Sequence, residues 1–236
     1  MLEEVAKIGK ERKIYSGMGS RVFSVPELPN LIVGLQVPLQ ELKTELLRQG
    51  VKVVGICAPG GCGKTTLAAM LCQDDQVRRF FKDHIYFSSI SSSPNLKVTM
   101  QRLFEMVNGF PSPEFQDEDD ACKQVEYLLI QKKQENMLLV LDDVWSEPVL
   151  QKLLFRRLDE YKMLVTSRTA FQSFDSVYHL KTLRNIDAVT LFYLHSAFLQ
   201  GEYGNNDQPP AELLEKVLCS SAIYVDASHM NTIMFV

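Results

Sequence analysis

Two kinds of apolar pattern alternate along this chain. Short runs at residues 51–57, 84–90, 137–141, 162–167 and 177–180 are strand-length, and the run Met137-Leu138-Leu139-Val140-Leu141 is apolar throughout, as a strand covered on both faces must be. Between these runs the apolar residues recur every three or four positions. Leu39, Leu42, Leu46 and Leu47 do so within Pro38–Leu47, and Leu96, Met100, Leu103, Phe104 and Val107 within Leu96–Val107. The same holds for Val125, Leu128 and Leu129 within 121–133, and for Ala188, Leu191, Phe192, Phe198 and Leu199, with His195 on the same face, within 187–200. That spacing predicts helices with one buried stripe. Strand and helix in alternation predict an α/β fold, a three-layer sandwich around a mostly parallel five-stranded sheet.

The intervening polar stretches divide the chain. Residues 1–20 read as a flexible N-terminal segment, Pro26 and Pro29 impose an extended path, and residues 111–120, with two prolines and five acids, read as a solvated loop. Residues 21–200 form the predicted domain. Residues 201–236 read as a linker and a tail of weak periodicity.

Chemistry enters where the first strand ends. Ala58-Pro59-Gly60-Gly61-Cys62-Gly63-Lys64-Thr65-Thr66 joins a strand to a helix through a glycine cluster, so that successive N–H groups turn toward an anion at a helix N-terminus. In this phosphate-binding loop Lys64 reaches the β- and γ-phosphates and Thr65 places its hydroxyl on Mg²⁺. Ala58 stands where the usual loop pattern opens with glycine; it either strains the loop or marks a subfamily. About 80 residues on, Asp142 and Asp143 close the apolar strand, at the end of a parallel sheet where ligands bind. Asp142 is placed to hold Mg²⁺, and Asp143 to orient or deprotonate a water. Arg168 ends the next strand, in position to sense or stabilise a γ-phosphate if that strand joins the same sheet.

Composition narrows the classes. A net charge of −4 gives no basic excess for a nucleic-acid partner. Five cysteines, with no C-x-x-C pair, fit free thiols in a reducing compartment, and four scattered histidines offer no protein-only metal site. The charged N-terminus is no secretory signal, and no run is long enough to span a membrane, so an intracellular, cytoplasmic location is expected.

Together the Ala58–Thr66 loop, Leu138–Trp145, Met163–Arg168 and the run from Tyr178 into 188–198 resemble the NB-ARC nucleotide-binding domain of plant nucleotide-binding leucine-rich-repeat disease-resistance receptors. Ser24-Val25-Pro26 through Val33-Gly34-Leu35, with this version of the loop, looks most like the helper receptors of the N-requirement-gene group. The resemblance implies a regulated ADP/ATP switch with Mg²⁺ in a plant immune receptor. It would place Val33 and Gly34 against the adenine, Gly60, Gly61, Cys62, Gly63, Lys64, Thr65 and Thr66 around the phosphates, Asp142 and Asp143 by the metal and water, and Arg168 at the γ-phosphate. The family's later helical, winged-helix and repeat parts are not found here. The expectation is therefore a truncated module that regulates full-length relatives by hetero-association, any membrane contact being through partners. A steady ATP hydrolase, a small-molecule kinase and an interaction fragment without nucleotide remain as alternatives.

Overall fold

A computed structural model describes residues 22–82, 84–132, 136–155, 158, 161–184, 187, 188, 190 and 191. In chain order its elements are β1 (Val22–Phe23), α1 (Gln36–Leu47), β2 (Val53–Cys57), α2 (Lys64–Gln73), α3 (Asp75–Phe80) and β3 (Ile85–Ser89). They continue with α4 (Leu96–Asn108), α5 (Glu118–Lys132), β4 (Met137–Val144), α6 (Glu147–Leu153), β5 (Tyr161–Ser167) and β6 (Ser176–His179). The strands form one all-parallel sheet in the order β1-β3-β4-β5-β2-β6. Five of them are the strands expected from the apolar runs; two-residue β1 adds an edge beside β3.

Alternation along each strand sends neighbouring side chains to opposite layers. Leu139, Leu141, Met163, Val165 and Tyr86 face a core closed by α4, α5 and α6, through residues such as Met100, Val125 and Leu150. Leu138, Val140, Leu164, Ile85 and Phe87 face the other core, closed by α1, α2 and α3 through Leu42, Leu67 and Val77. Burial on both faces is why β2 has no polar side chain and β4 none before Asp142. Gly55 in β2 marks a close approach: a Cβ there would lie 2.3 Å from the ring of Phe174.

Polar contacts lock the layers in register. Asp175 accepts from the N–H groups of Lys52 and Val53, both at 2.8 Å, at the start of β2. Tyr178 donates to Glu41 at 2.7 Å and Ser176 to Glu45 at 2.8 Å, tying β6 to α1. Lys43 of α1 meets Asp74 at 2.9 Å, and Asp74 in turn caps α3 by accepting from Gln76 and Val77 N–H.

Two expectations need correction. The loop at 111–120 is shorter than expected: α5 already starts at Glu118, where Asp117 accepts from the Asp120 N–H at 2.8 Å and three acids favour the positive helix end. That loop is not wholly solvated either, because Phe115 is buried and packs edge-on to Phe104. The short helices α3 and α6 were not foreseen. The readings for residues 1–20, for the helix beyond 191 and for 201–236 lie outside the described residues.

Candidate functional site

The order of the strands builds the site. β4, which carries the two aspartates, is separated from β2, which leads into the glycine loop, by β5 alone. The carboxyl ends of all three point the same way, so Asp142, the loop and the end of β5 meet at one edge.

Within the loop, Gly61 (φ +77°) and Gly63 (φ +88°) take left-handed backbone that other residues rarely adopt, and a Cβ at Gly61 would meet nothing within 4 Å. The space beside Gly61 is open, and the loop leads directly into the N-terminus of α2. Ala58 is not among the described residues with positive φ; its N–H donates to Ser167 O at 3.3 Å and the residue is buried. Alanine at that position is therefore unstrained.

Lys64 opens α2 and is nearly buried, its ammonium donating to the carbonyls of Ala58 at 2.9 Å and Pro59 at 2.8 Å. Burial lowers its pKa below the usual 10.5; the nearby Arg168 charge pushes the same way, whereas Cys62, Asp143 and Asp142 oppose it. Thr65, on the exposed side, donates to both carboxylate oxygens of Asp142, at 2.9 and 3.1 Å. Thr66 is half-buried in the next position.

Asp142 is buried, and a second hydroxyl serves it: Thr166 of β5 donates to Oδ1 at 2.6 Å. Thr166 also accepts from the Asp143 N–H at 2.8 Å. A bulge between Leu141 and Val144 interrupts the β4–β5 ladder here, and Asp143 adopts φ +58°, a left-handed conformation that aspartate tolerates better than most residues. The bulge separates the two carboxylates: Asp142 stays buried on its threonines, while Asp143 is half-exposed. Arg168 is exposed, with its guanidinium 4.2 Å from the Trp145 ring centroid and Nη2 3.6 Å from where a Gly60 Cβ would stand.

Val33 and Gly34 lie before α1, half-buried and exposed in turn. A Cβ on Gly34 (φ +77°) would come 2.6 Å from Leu183 Cδ2, and the next residue, Leu35, has Cδ1 3.5 Å from the corresponding position on Gly63. The structure thus brings Lys64, Thr65, Asp142, Asp143 and Arg168 to one locus and joins the Val33–Gly34 strap to the loop through Leu35. Thr166 was missed from sequence, as was the Trp145–Arg168 stack, because both depend on which strands are neighbours.

The residues suit a phosphate with a hard cation. A glycine-rich turn at a helix N-terminus, a buried ammonium, and a carboxylate with a threonine hydroxyl beside it are the protein share of a Mg²⁺–phosphate site, where phosphate oxygens and waters complete the coordination. Among the described residues no three His, Cys, Asp or Glu side chains converge on a metal point of their own. Cys57, Cys62, Cys72 and Cys122 are free thiols, and burial pushes that of Cys72 up to about 12.

Sequence comparison gives this geometry its family. The profile of the NB-ARC domain matches residues 35–195, from Leu35 through the loop, both aspartates and Arg168. The chain belongs to the NB-ARC family. Two probable disease resistance proteins of Arabidopsis thaliana are similar to it, one 45% identical over 171 residues (71% of this chain, 21% of the relative) and the other 43% identical over 169 residues (70% and 20%). The NB-ARC chain thus spans about a fifth of the length of these relatives. Among solved structures, the Aeropyrum pernix ORC1 protein in complex with DNA matches with a TM-score of 0.53 at 10% identity over 76% of this chain and 53% of that one. The Aeropyrum pernix ORC2 protein, in ADPNP–ADP complexes, matches with a TM-score of 0.50 at 17% identity over 76% and 56%. These two support the P-loop NTPase fold of the NB-ARC chain. Among the described residues no helix is long and apolar enough to cross a membrane.

Proposed function

We propose that this NB-ARC chain is an ADP/ATP-binding switch module of a plant immune receptor of the N-requirement-gene helper group, with slow or no hydrolysis, and that residues 21–200 form its nucleotide-binding domain. The observation that carries the reading is the Thr65–Asp142–Thr166 cluster beside a buried Lys64, side chains brought together from three separate elements. In it Gly60, Gly61, Cys62, Gly63 and Thr66 surround the phosphates. Lys64 exchanges its two carbonyl partners for phosphate oxygens, and Thr65 with Asp142 supplies the protein ligands for Mg²⁺. Val33 and Gly34 lie along the adenine, Asp143 orients a water, and Arg168 meets the terminal phosphate. Converging Lys64 and Arg168 charges favour the bound anion, since each raises the cost of leaving the other without one. The disease-resistance names of the relatives support the immune-receptor part of this reading, and association with related receptors in the cytoplasm is proposed with it.

Titration calorimetry with Mg²⁺ and ADP or a non-hydrolysable ATP analogue tests it. Replacing Lys64 by alanine removes a charge-assisted contact of about 1.5–3 kcal/mol and weakens binding by about 10- to 150-fold. A wild-type chain that binds neither nucleotide overturns the proposal.

A further inference from the structure

Trp145 has no place in the core. It follows the last residue of β4, is 44% exposed, and belongs to neither hydrophobic cluster, although it is the largest side chain in the neighbourhood. Its ring instead underlies Arg168, whose guanidinium sits 4.2 Å from the centroid with Nη2 reaching toward Gly60. Among the described residues no salt bridge orients Arg168, so the indole is what holds this long, exposed side chain against the glycine loop.

We propose that Trp145 is a positioning residue: its ring holds the Arg168 guanidinium over Gly60 and thereby sets the site's preference for a nucleotide with a third phosphate over one with two. The inference rests on the nucleotide reading above and adds a determinant of which nucleotide is retained. The physical argument is preorganisation. An arginine free in solvent loses rotamer freedom when it meets an anion, whereas one already stacked has lost most of it before the ligand arrives. A cation held over an indole face spends none of its hydrogen-bonding capacity on a salt-bridge partner, so its N–H donors stay available for a phosphate. The bulge at Asp142–Asp143 matters to this arrangement. It is the irregularity in β4 that directly precedes Val144 and Trp145, so the element that places the carboxylates also places the platform for the arginine.

The test is calorimetry on the full chain with Mg²⁺–ADP and with a non-hydrolysable Mg²⁺–ATP analogue. Trp145→Ala is expected to weaken the analogue by about 3- to 30-fold while ADP stays within about twofold. Trp145→Phe, which keeps an aromatic face, restores most of the analogue affinity. In an Arg168→Ala background the Trp145→Ala change costs nothing further, as a residue acting through Arg168 requires. Equal losses for both nucleotides, unchanged analogue binding, or a full Trp145→Ala effect without Arg168 each overturn the proposal. Failure of the wild type to bind either nucleotide instead overturns the nucleotide reading beneath it.

Discussion

Single residues in this site are chosen by backbone geometry as much as by side-chain chemistry. Gly61 and Gly63 are required by positive φ, but Ala58, the departure from the usual loop pattern, takes ordinary backbone, contributes a carbonyl to Lys64 and buries its methyl group. Glycine would serve it worse. Ala58→Gly is expected to lower stability by about 1–2 kcal/mol, the sum of a lost buried methyl and a freer unfolded chain. Denaturant unfolding measures it, and an increase in stability would show that the loop is strained at Ala58 after all. Asp143 illustrates the converse: its left-handed φ suits Asp or Asn, so Asp143→Asn removes the charge without disturbing the backbone and separates a role in hydrolysis from one in folding.

Among the elements, legibility in the sequence followed length and locality. The strands at 53–57, 137–144 and 161–167 and helices α1, α4 and α5 announce themselves because apolar periodicity needs a window of about 11–18 residues, or an unbroken apolar run, to stand out. The six residues of α3 and seven of α6 offer neither. The loop motif, Asp142 and Arg168 were readable for a similar reason, since each lies at the end of an apolar run. Thr166 and Trp145 were not, because a threonine becomes a partner of Asp142 only once β5 is known to lie between β2 and β4. Helix α3 also carries a test. Burial pushes the Asp74 carboxyl up, but the hydrogen bonds from Lys43 and from the Val77 and Gln76 N–H groups outweigh it and hold the pKa below its ordinary 3.8. A carboxyl lowered on folding adds stability that is complete above about pH 4 and disappears as the pH falls through the lowered value. Asp74→Asn keeps a capping oxygen and loses the charge, so its stability deficit relative to wild type is expected to shrink on acidification, while Asp74→Ala also loses the cap, about 1 kcal/mol more. Urea unfolding from pH 7 to pH 3 checks the sign; a deficit that widens toward acid would contradict it.

At the scale of the whole molecule, the site ties both layers to the sheet. Lys64 and Thr65 start α2, which belongs to one core; Asp142 and Thr166 lie near the carboxyl ends of strands whose neighbouring residues, Leu141 and Val165, fill the other. A ligand that engages Lys64, Thr65 and Asp142 together therefore stabilises the folded chain as a unit, and only the folded chain presents these groups side by side. Binding linkage puts the gain at about 2.7 kcal/mol when ligand stands at about 100 times its dissociation constant. For a domain of roughly 150–250 residues, that raises the thermal midpoint by about 5–11 °C. Scanning calorimetry with Mg²⁺–ADP at that ratio is expected to show the shift, and Lys64→Ala at the same nucleotide concentration to reduce it to about half or less, in line with its weaker binding. A shift of equal size in the Lys64→Ala chain would mean that the stabilising contact lies elsewhere on the molecule. No shift in the wild type, at a concentration that calorimetry shows to be saturating, would mean that the unfolded chain binds the nucleotide as well as the folded one and that the assembled loop, carboxylate and threonines contribute nothing to it.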